Sequence, residues 1–410
     1  MIVVGGGPAG LACALALAAA DVPVMLAAGP HRPGGFDRDR RTAGLFAGSI
    51  ELLRNLGVWD GLKDACEPLK TIRLIDDTGR LFRAPEVKFH ARDAGLEAFG
   101  FNVPNDALVD ALSARVAATT GITVVPTAGA RAVRIGPGHA TIVLGEGPEL
   151  SARLVVAADG RKSPTRDAAG ITVKTWNYPQ TAVVTWFSHQ RPHDGISTEF
   201  HRAVGPFTTV PMPGRYSSLV WVEDPAEAER LMTLSETEFR RAIEVRLGGL
   251  LGTVGEIGPR ASFPLSGLTP DVFGRNRVAL VGESGHVIPP IGAQGLNLGL
   301  RDAATLADCV SDAVSAGHDP GGSEVLNRYS ALRAPDVNGR IMAIDLLNRT
   351  LLSPYLTVHL IRGFGLHVLN NVDALRRLVV KEGVQPTAYI PTLMRSGGTA
   401  PATAGVLSPA

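Results

Sequence analysis

The sequence predicts an α/β fold: a parallel sheet built around a glycine-rich turn, an inserted antiparallel β-sheet, and a helical C-terminal region. Three observations predict it. The apolar run Ile2-Val3-Val4 enters a GxGxxG turn, GGGPAG at 5–10, which leads into an Ala/Leu-rich helix over 11–20 and a second apolar run over 22–27, a βαβ unit. From about residue 180 to 223 the pattern changes to alternating runs, 181–189, 198–202, 207–210 and 217–222, as in antiparallel strands with one buried face. Far along the chain another apolar run, 278–281, feeds a second glycine loop and helix start, GESGHVIPPIGAQGLNLGLRDA at 282–303.

A chain of 410 residues allows two or more domains and a large core. Its 45% hydrophobic and 19% charged content is an ordinary globular balance, and a net charge of +1 gives no footing for nucleic acid or a strongly acidic partner. Cys13, Cys66 and Cys309 are far apart and form no CxxC pair, which argues against a disulfide framework or a zinc site and for a reducing, cytoplasmic setting. No signal peptide is visible, and the ten apolar residues 11–20 are too few to span a bilayer. Met1 leads straight into the first strand, which leaves open a start upstream of it.

In the first unit Gly5 permits the tight turn, Gly7 lets a pyrophosphate approach the backbone, and Gly10 lets the helix pack on the sheet, with Pro8 and Ala9 in the same turn. The acid expected after the second strand is missing, because Ala28 stands there. Either an arginine such as Arg32 takes the 2′-phosphate of NADP, or an FAD site lacks one ribose contact, worth about 1.5–3 kcal/mol when charge-assisted. The basic loop DRDRRTAGL, 37–45, follows that strand, and Arg41 is its candidate partner for a pyrophosphate.

Residues 49–62 carry Ile50, Leu53 and Leu56 at helical spacing, with an end at Gly57. Residues 71–82, with Asp77-Thr78-Gly79, read as a hairpin. A helix over 105–119 and strands over 122–126, 130–135 and 140–144 follow. In LVVAADGRKSPTR, 154–166, a buried strand runs into Asp159-Gly160, a turn that aims a carboxylate at a ligand hydroxyl, with Ser163 and Arg166 behind it. The alternating strands carry Trp186, Phe187, Phe200, Phe207 and Trp221, readable as a substrate wall or as plain core. Residues 227–251 read as helical, as do 302–316, 322–333 and 336–350. Residues 354–372 read as a helical cap on the core or a membrane-touching surface, and 396–410 as a disordered tail.

Three signatures, GGGPAG, the Asp159-Gly160 motif with Ser163 and Arg166, and Gly282-Glu283 continuing to PPIGAQGLNLGLRDA, match in order and spacing, and the chain resembles the class A flavoprotein monooxygenases, the family of para-hydroxybenzoate hydroxylase. Within it the stretches at 39–59, 176–180, 205–213, 217–221 and 291–308 look similar to the ubiquinone-biosynthesis hydroxylases. The resemblance implies an FAD-binding Rossmann-like domain of the glutathione-reductase type (residues 1–70, 105–172 and 266–325), an inserted antiparallel β-sheet substrate domain (71–104 and 173–265), and C-terminal helices (326–395). It decides the Ala28 question in favour of FAD.

It further implies NAD(P)H as reductant and a flavin C4a-hydroperoxide formed from O2, acting on a polyprenylated phenol or quinol. Peripheral contact with the inner membrane face and association with other ubiquinone-biosynthesis proteins go with such a substrate. FAD is expected at Gly5, Gly7, Pro8, Ala9, Gly10, Arg41, Asp159, Gly160, Glu283, Pro290, Gly292, Gln294, Gly295, Leu296 and Asn297. Glu283 stands where the family has aspartate, and is one methylene longer. Pro289 and Pro290 are expected to wall the flavin, and His286 is a weak acid–base candidate beside the stronger reading that it orients the loop. No metal is expected. A hydroxylase of a soluble aromatic, a flavin reductase of isoprenoid double bonds and a non-catalytic accessory flavoprotein are the competing functions.

Overall fold

The computed structural model describes residues 1–29, 41–79, 85–127, 129–145, 147–290, 292–352 and 389–398. The expected helical cap at 354–372, the basic residues before Arg41 and the tail beyond 398 lie outside them.

Five parallel strands form the first sheet. Ile2–Val4 lies at its centre between Val24–Ala28 and Val155–Ala157, with Ile122–Pro126 and Val278–Leu280 outside these and the short antiparallel Gly274–Arg275 at the edge. The three-residue strands are apolar and buried at every position, as a parallel sheet covered on both faces requires. Alternate residues supply the two cores. Val3, Val156 and Ala279 pack beneath helices Pro8–Ala19 and Gln294–Ser315. Ile2, Val4, Val155 and Leu280 pack under a three-stranded meander, Ala130–Ile135, Ala140–Leu144 and Leu150–Ala152. Alanines at 12, 14 and 16 keep the first helix thin enough to lie between the sheet and the second helix.

The second sheet is dominated by the 17-residue strand Val173–His189, which pairs with Ala261–Pro270 and Tyr216–Glu223. The order continues through Phe207–Met212 and Ile196–His201 to Thr71–Asp76, which runs parallel to Ile196–His201, and Val87–His90. The Asp77-Thr78-Gly79 turn therefore opens a hairpin whose return arm is Val87–His90. The expected helix over 227–251 is two helices, Pro225–Thr233 and Glu236–Leu247. Asp224 caps the first, and Ser235 with Glu238 forms a capping box on the second, so each start satisfies its own free N–H groups.

These helices decide between the two readings of the aromatics, substrate wall or plain core, in favour of core. Phe187, Phe200, Phe207 and Trp221 pack against Leu231 and Phe239 on the helix-covered face. Trp186 is buried over Gly258, whose hydrogen leaves room for the indole. The other face of the sheet carries the cavity.

A small sheet joins the two bodies. Thr42–Phe46 pairs with Gly100–Pro104, which also takes Glu67–Pro68. A Cβ on Gly100 would stand 1.9 Å from the Leu45 carbonyl oxygen, so only glycine fits there. Two sheet memberships depart from the expected divisions. Gly100–Pro104 pairs with Thr42–Phe46 and not with the large sheet, and Ala261–Pro270 runs on past residue 265. The helices expected at 322–333 and 336–350 are one helix, Ser323–Leu352, with Pro335 inside it. Proline removes one backbone donor, but Asp336 ion-pairs with Arg333 across that point and with Arg340 in the turn beyond it.

Trp221 is fully buried, stacks edge-on to Phe207 at 5.1 Å and donates to Glu223 Oε1 at 3.0 Å. Trp221→Ala is expected to cost about 3–5 kcal/mol. Urea unfolding of the purified protein checks this, and a loss below about 1 kcal/mol would contradict the packing described.

Candidate active site

The first glycine turn is fixed by contact. Gly5 has φ +123°, and a Cβ there would stand 2.1 Å from the Ala158 carbonyl oxygen. A Cβ on Gly10 would stand 2.1 Å from the Gly5 oxygen. Gly7, by contrast, has nothing within 4 Å of its Cβ position, so the space above it is open to a ligand. The helix starts at Pro8 with Gly7 as an N-cap that offers no side chain. Its first N–H groups thus form a bare, partly positive end suited to phosphate. Ala28 closes the second strand against Gly6, and no carboxylate stands there.

Asp159-Gly160 follows the strand Val155–Ala157, and Gly160 takes φ +83°. Asp159 Oδ2 accepts from the Thr165 N–H at 3.2 Å, while Oδ1 is buried without a protein partner. A buried carboxylate oxygen demands a donor, and a ligand hydroxyl supplies one. Ser163 caps the short helix Pro164–Ala168. Arg166 is buried and donates to the Arg161 and Ser284 carbonyls, which ties the Asp159 turn to the second glycine loop.

That loop lies beside the first turn. Gly282, with φ +69°, would bring a Cβ within 3.0 Å of Ala9 Cβ, and Gly299 of the following helix sits over Gly282 Cα. Asp302 fixes it from below. Oδ2 accepts from Gly282 N–H at 2.9 Å and His286 Nε2–H at 2.7 Å, and Oδ1 accepts from Arg333 Nε at 2.6 Å. Burial acts to raise the Asp302 pKa, but Arg333, His286 and the Gly282 N–H outweigh it and hold the carboxyl below the ordinary aspartate range. His286 is 1% exposed, is bound to Asp302, and lines neither cavity. It holds the loop, and the acid–base candidacy is corrected accordingly.

The chain then passes Pro289, Pro290, Gly292 (φ +70°) and Ala293 (φ +52°) into the helix Gln294–Ser315, whose start has no side-chain cap. Asn297, expected as a cofactor contact, has its amide used inside the protein. Oδ1 accepts from Phe46 N–H and Ser49 Oγ–H, and Nδ2 donates to Gly44 and Ala293. Its side chain pins the loop to the strand Thr42–Phe46. Gln294 Oε1 accepts from Arg340 at 2.5 Å.

Two cavities meet at Thr42, Ser218 and the Pro289-Pro290 pair. The smaller, about 280 Å³, is bordered by Arg41, Arg161 and the exposed Glu283. Arg41 lies over the Phe263 ring at 5.1 Å. The larger, about 480 Å³, has the backbone from Gly292 to Leu296 on one side and Ile72, Phe89 and Phe99 at one end. Its sheet wall is Ser197, Glu199, Thr208, Val210, Ser218 and Val220, alternate residues on three adjacent strands. These wall residues escape the sequence reading. The signal for them was the polar members of otherwise apolar alternating strands.

A bare helix start at each of two glycine turns, an aspartate between them with one buried oxygen left without a protein partner, and an adjoining cavity define a nucleotide-cofactor enzyme with a separate substrate sheet. The profile of the FAD binding domain family matches residues 1–342, and the chain belongs to that family as an FAD-dependent monooxygenase. It is 34% identical over 386 residues to ubiquinone hydroxylase UbiL of Rhodospirillum rubrum, covering 94% of this chain and 89% of that one. It is 29% identical to 3-demethoxyubiquinol 3-hydroxylase of Escherichia coli, over 92% and 96% of the two chains. In fold it is similar to p-nitrophenol 4-monooxygenase PnpA of Pseudomonas putida DLL-E4, with a TM-score of 0.77, 18% identity, and 95% and 98% coverage.

Asp302→Asn removes the charge opposite buried Arg333 and is expected to cost about 3–5 kcal/mol at neutral pH. Because the folded pKa of Asp302 is depressed, its contribution is complete above the unfolded value of about 3.9 and is lost as pH falls through the lower folded value. Urea midpoints of the two proteins should therefore converge in acid, and a gap that stays constant down to strongly acid pH would refute this role.

Proposed function

We propose that this protein hydroxylates the aromatic ring of a polyprenylated phenol or quinol in ubiquinone biosynthesis, with NAD(P)H as reductant and O2 as the oxygen source. The observation that carries the reading is the cavity of about 480 Å³, apolar at one end, that opens onto the bare start of helix Gln294–Ser315. The names of the relatives support the substrate class.

Bound FAD supplies redox chemistry and oxygen activation that no side chain offers. The chain's own residues do the rest. In this reading Gly5, Gly7, Pro8, Ala9 and Gly10 seat the pyrophosphate at the helix start, with Arg41 as a counter-charge. Asp159, turned by Gly160, and Glu283 accept hydrogen bonds from cofactor hydroxyls. The N–H groups at Gly292, Gln294, Gly295 and Leu296 offer fixed positive ends to negative charge on the reduced ring. Pro289 and Pro290 stiffen the approach, add no N–H, and help to keep water from the reacting face. Asn297 acts by holding this loop in register.

A long polyprenyl tail must leave a cavity of this size, so the ring enters and the tail trails outward. Peripheral membrane contact and association with other ubiquinone-biosynthesis proteins are proposed on the same ground. Among the described residues no helix is long and apolar enough to cross a membrane.

Quinone profiling of a deletion strain tests the function. Loss of ubiquinone with accumulation of a precursor lacking one hydroxyl is expected, and an unchanged profile would overturn the reading in favour of another aromatic. Glu283→Ala is expected to weaken FAD about ten- to a hundredfold, the value of one charge-assisted hydrogen bond. A fluorescence titration with FAD reads this directly, and unchanged affinity would remove Glu283 from the site.

A further inference from the structure

We propose that Glu199 is the catalytic residue that binds the ring hydroxyl of the substrate and takes its proton during hydroxylation, and that His201 is its positioning residue. The proposal rests on the aromatic-hydroxylase reading above. Among the described residues Glu199 is the sole titratable group lining the larger cavity. Its strand, Ile196–His201, alternates, so Ser197 and Glu199 face the cavity while Thr198 and Phe200 face the helix-covered core. Glu199 pairs across the sheet with Thr208 on one side and Leu74 on the other, so no cationic residue stands opposite it in either neighbouring strand.

A carboxylate turned into an apolar cavity is costly unless something meets it. His201, two residues on and therefore on the same face, is buried, and its Nε2–H donates to Glu199 Oε1 at 2.6 Å. That is the one hydrogen-bond partner of Glu199 among the described residues, and the side chain remains 15% exposed on the cavity side. Held from behind by the imidazole, the carboxylate keeps acceptor capacity for a donor inside the cavity. A phenolic hydroxyl is such a donor, and its methyl ether is not.

The proton balance follows. O2 is the oxidant and NAD(P)H the two-electron reductant, with the second oxygen atom leaving as water. As a C–O bond forms at a ring carbon, the phenolic O–H bond breaks, its electron pair enters the ring as a C=O, and the proton passes to Glu199. When the oxygenated carbon then loses its hydrogen to water, Glu199 returns the proton to the ring oxygen and aromaticity is restored. The carboxylate thus acts where positive charge develops in the ring.

The test uses the FAD-loaded full chain with a short-chain prenylated phenol and its methyl ether, binding being read from the perturbation of flavin absorbance. The wild type should bind the phenol about ten- to a hundredfold better than the ether. Glu199→Gln, whose neutral amide oxygen still accepts, should lose most of that preference and Glu199→Leu all of it, with FAD bound as in the wild type. His201→Leu should lose part of it. A Glu199→Gln protein that keeps the full preference overturns the proposal and leaves the hydroxylase reading standing. A wild type that binds neither probe overturns both.

Discussion

The buried carboxylate of Asp302 is the constraint on which the site depends. It is 0% exposed and ties its own helix, Gln294–Ser315, to two other segments: the loop at Gly282 and His286 and, through Arg333, the helix Ser323–Leu352. A charge so deep is tolerable only when its lone pairs are met by donors and its charge by a cation, and all three donors converge here. Asp336 extends the cluster by pairing Arg301, Arg333 and Arg340, and Arg340 reaches Gln294 at the helix start. The loop between Gly282 and Gln294 is therefore anchored at both ends by one ion network. Its middle, with two prolines and an uncapped helix start, is left to face the cavities.

This arrangement separates two kinds of recognition. In the proposed function the cofactor side relies mainly on backbone, with N–H groups at two helix starts and glycines whose Cβ positions are blocked or open as the contact requires, and on few side chains. Backbone groups are fixed in place by the fold and cost nothing to orient when charge develops. The cavity proposed for the substrate is lined by side chains on a sheet, where each inward position can vary without disturbing the core on the other face. The small sheet of Thr42–Phe46 and Gly100–Pro104 stands between the two, and Asn297 fastens it to the cofactor loop through Gly44 and Phe46.

The glycine turns were legible in the sequence because close contact between backbones leaves no alternative residue. A Cβ at Gly5 or Gly10 would stand 2.1 Å from a carbonyl oxygen, so the spacing of the glycines is itself a record of the geometry. The strands of the parallel sheet were legible as continuous apolar runs, and three meander and sheet-edge strands at their full bounds. The Asp302 network was not, since its members are scattered from position 282 to 336 and charges carry no periodic signal. Alternation in the second sheet announces two faces without saying which one the helices cover, and so the sequence leaves the aromatics open between substrate wall and core. Pro335 falls in the gap between the two expected helices, and the Arg333–Asp336 pair that spans it leaves no mark in local propensity.

The polar wall also bears on specificity. An entirely apolar cavity gains little discrimination between a ring that carries a hydroxyl and one that does not. Ser197, Thr208 and Ser218 interrupt the apolar surface with groups that both donate and accept, while the Ile72, Phe89 and Phe99 end stays apolar. Under the proposed function, this wall would meet a hydroxylated ring with side-chain groups that are in place before any cofactor chemistry begins.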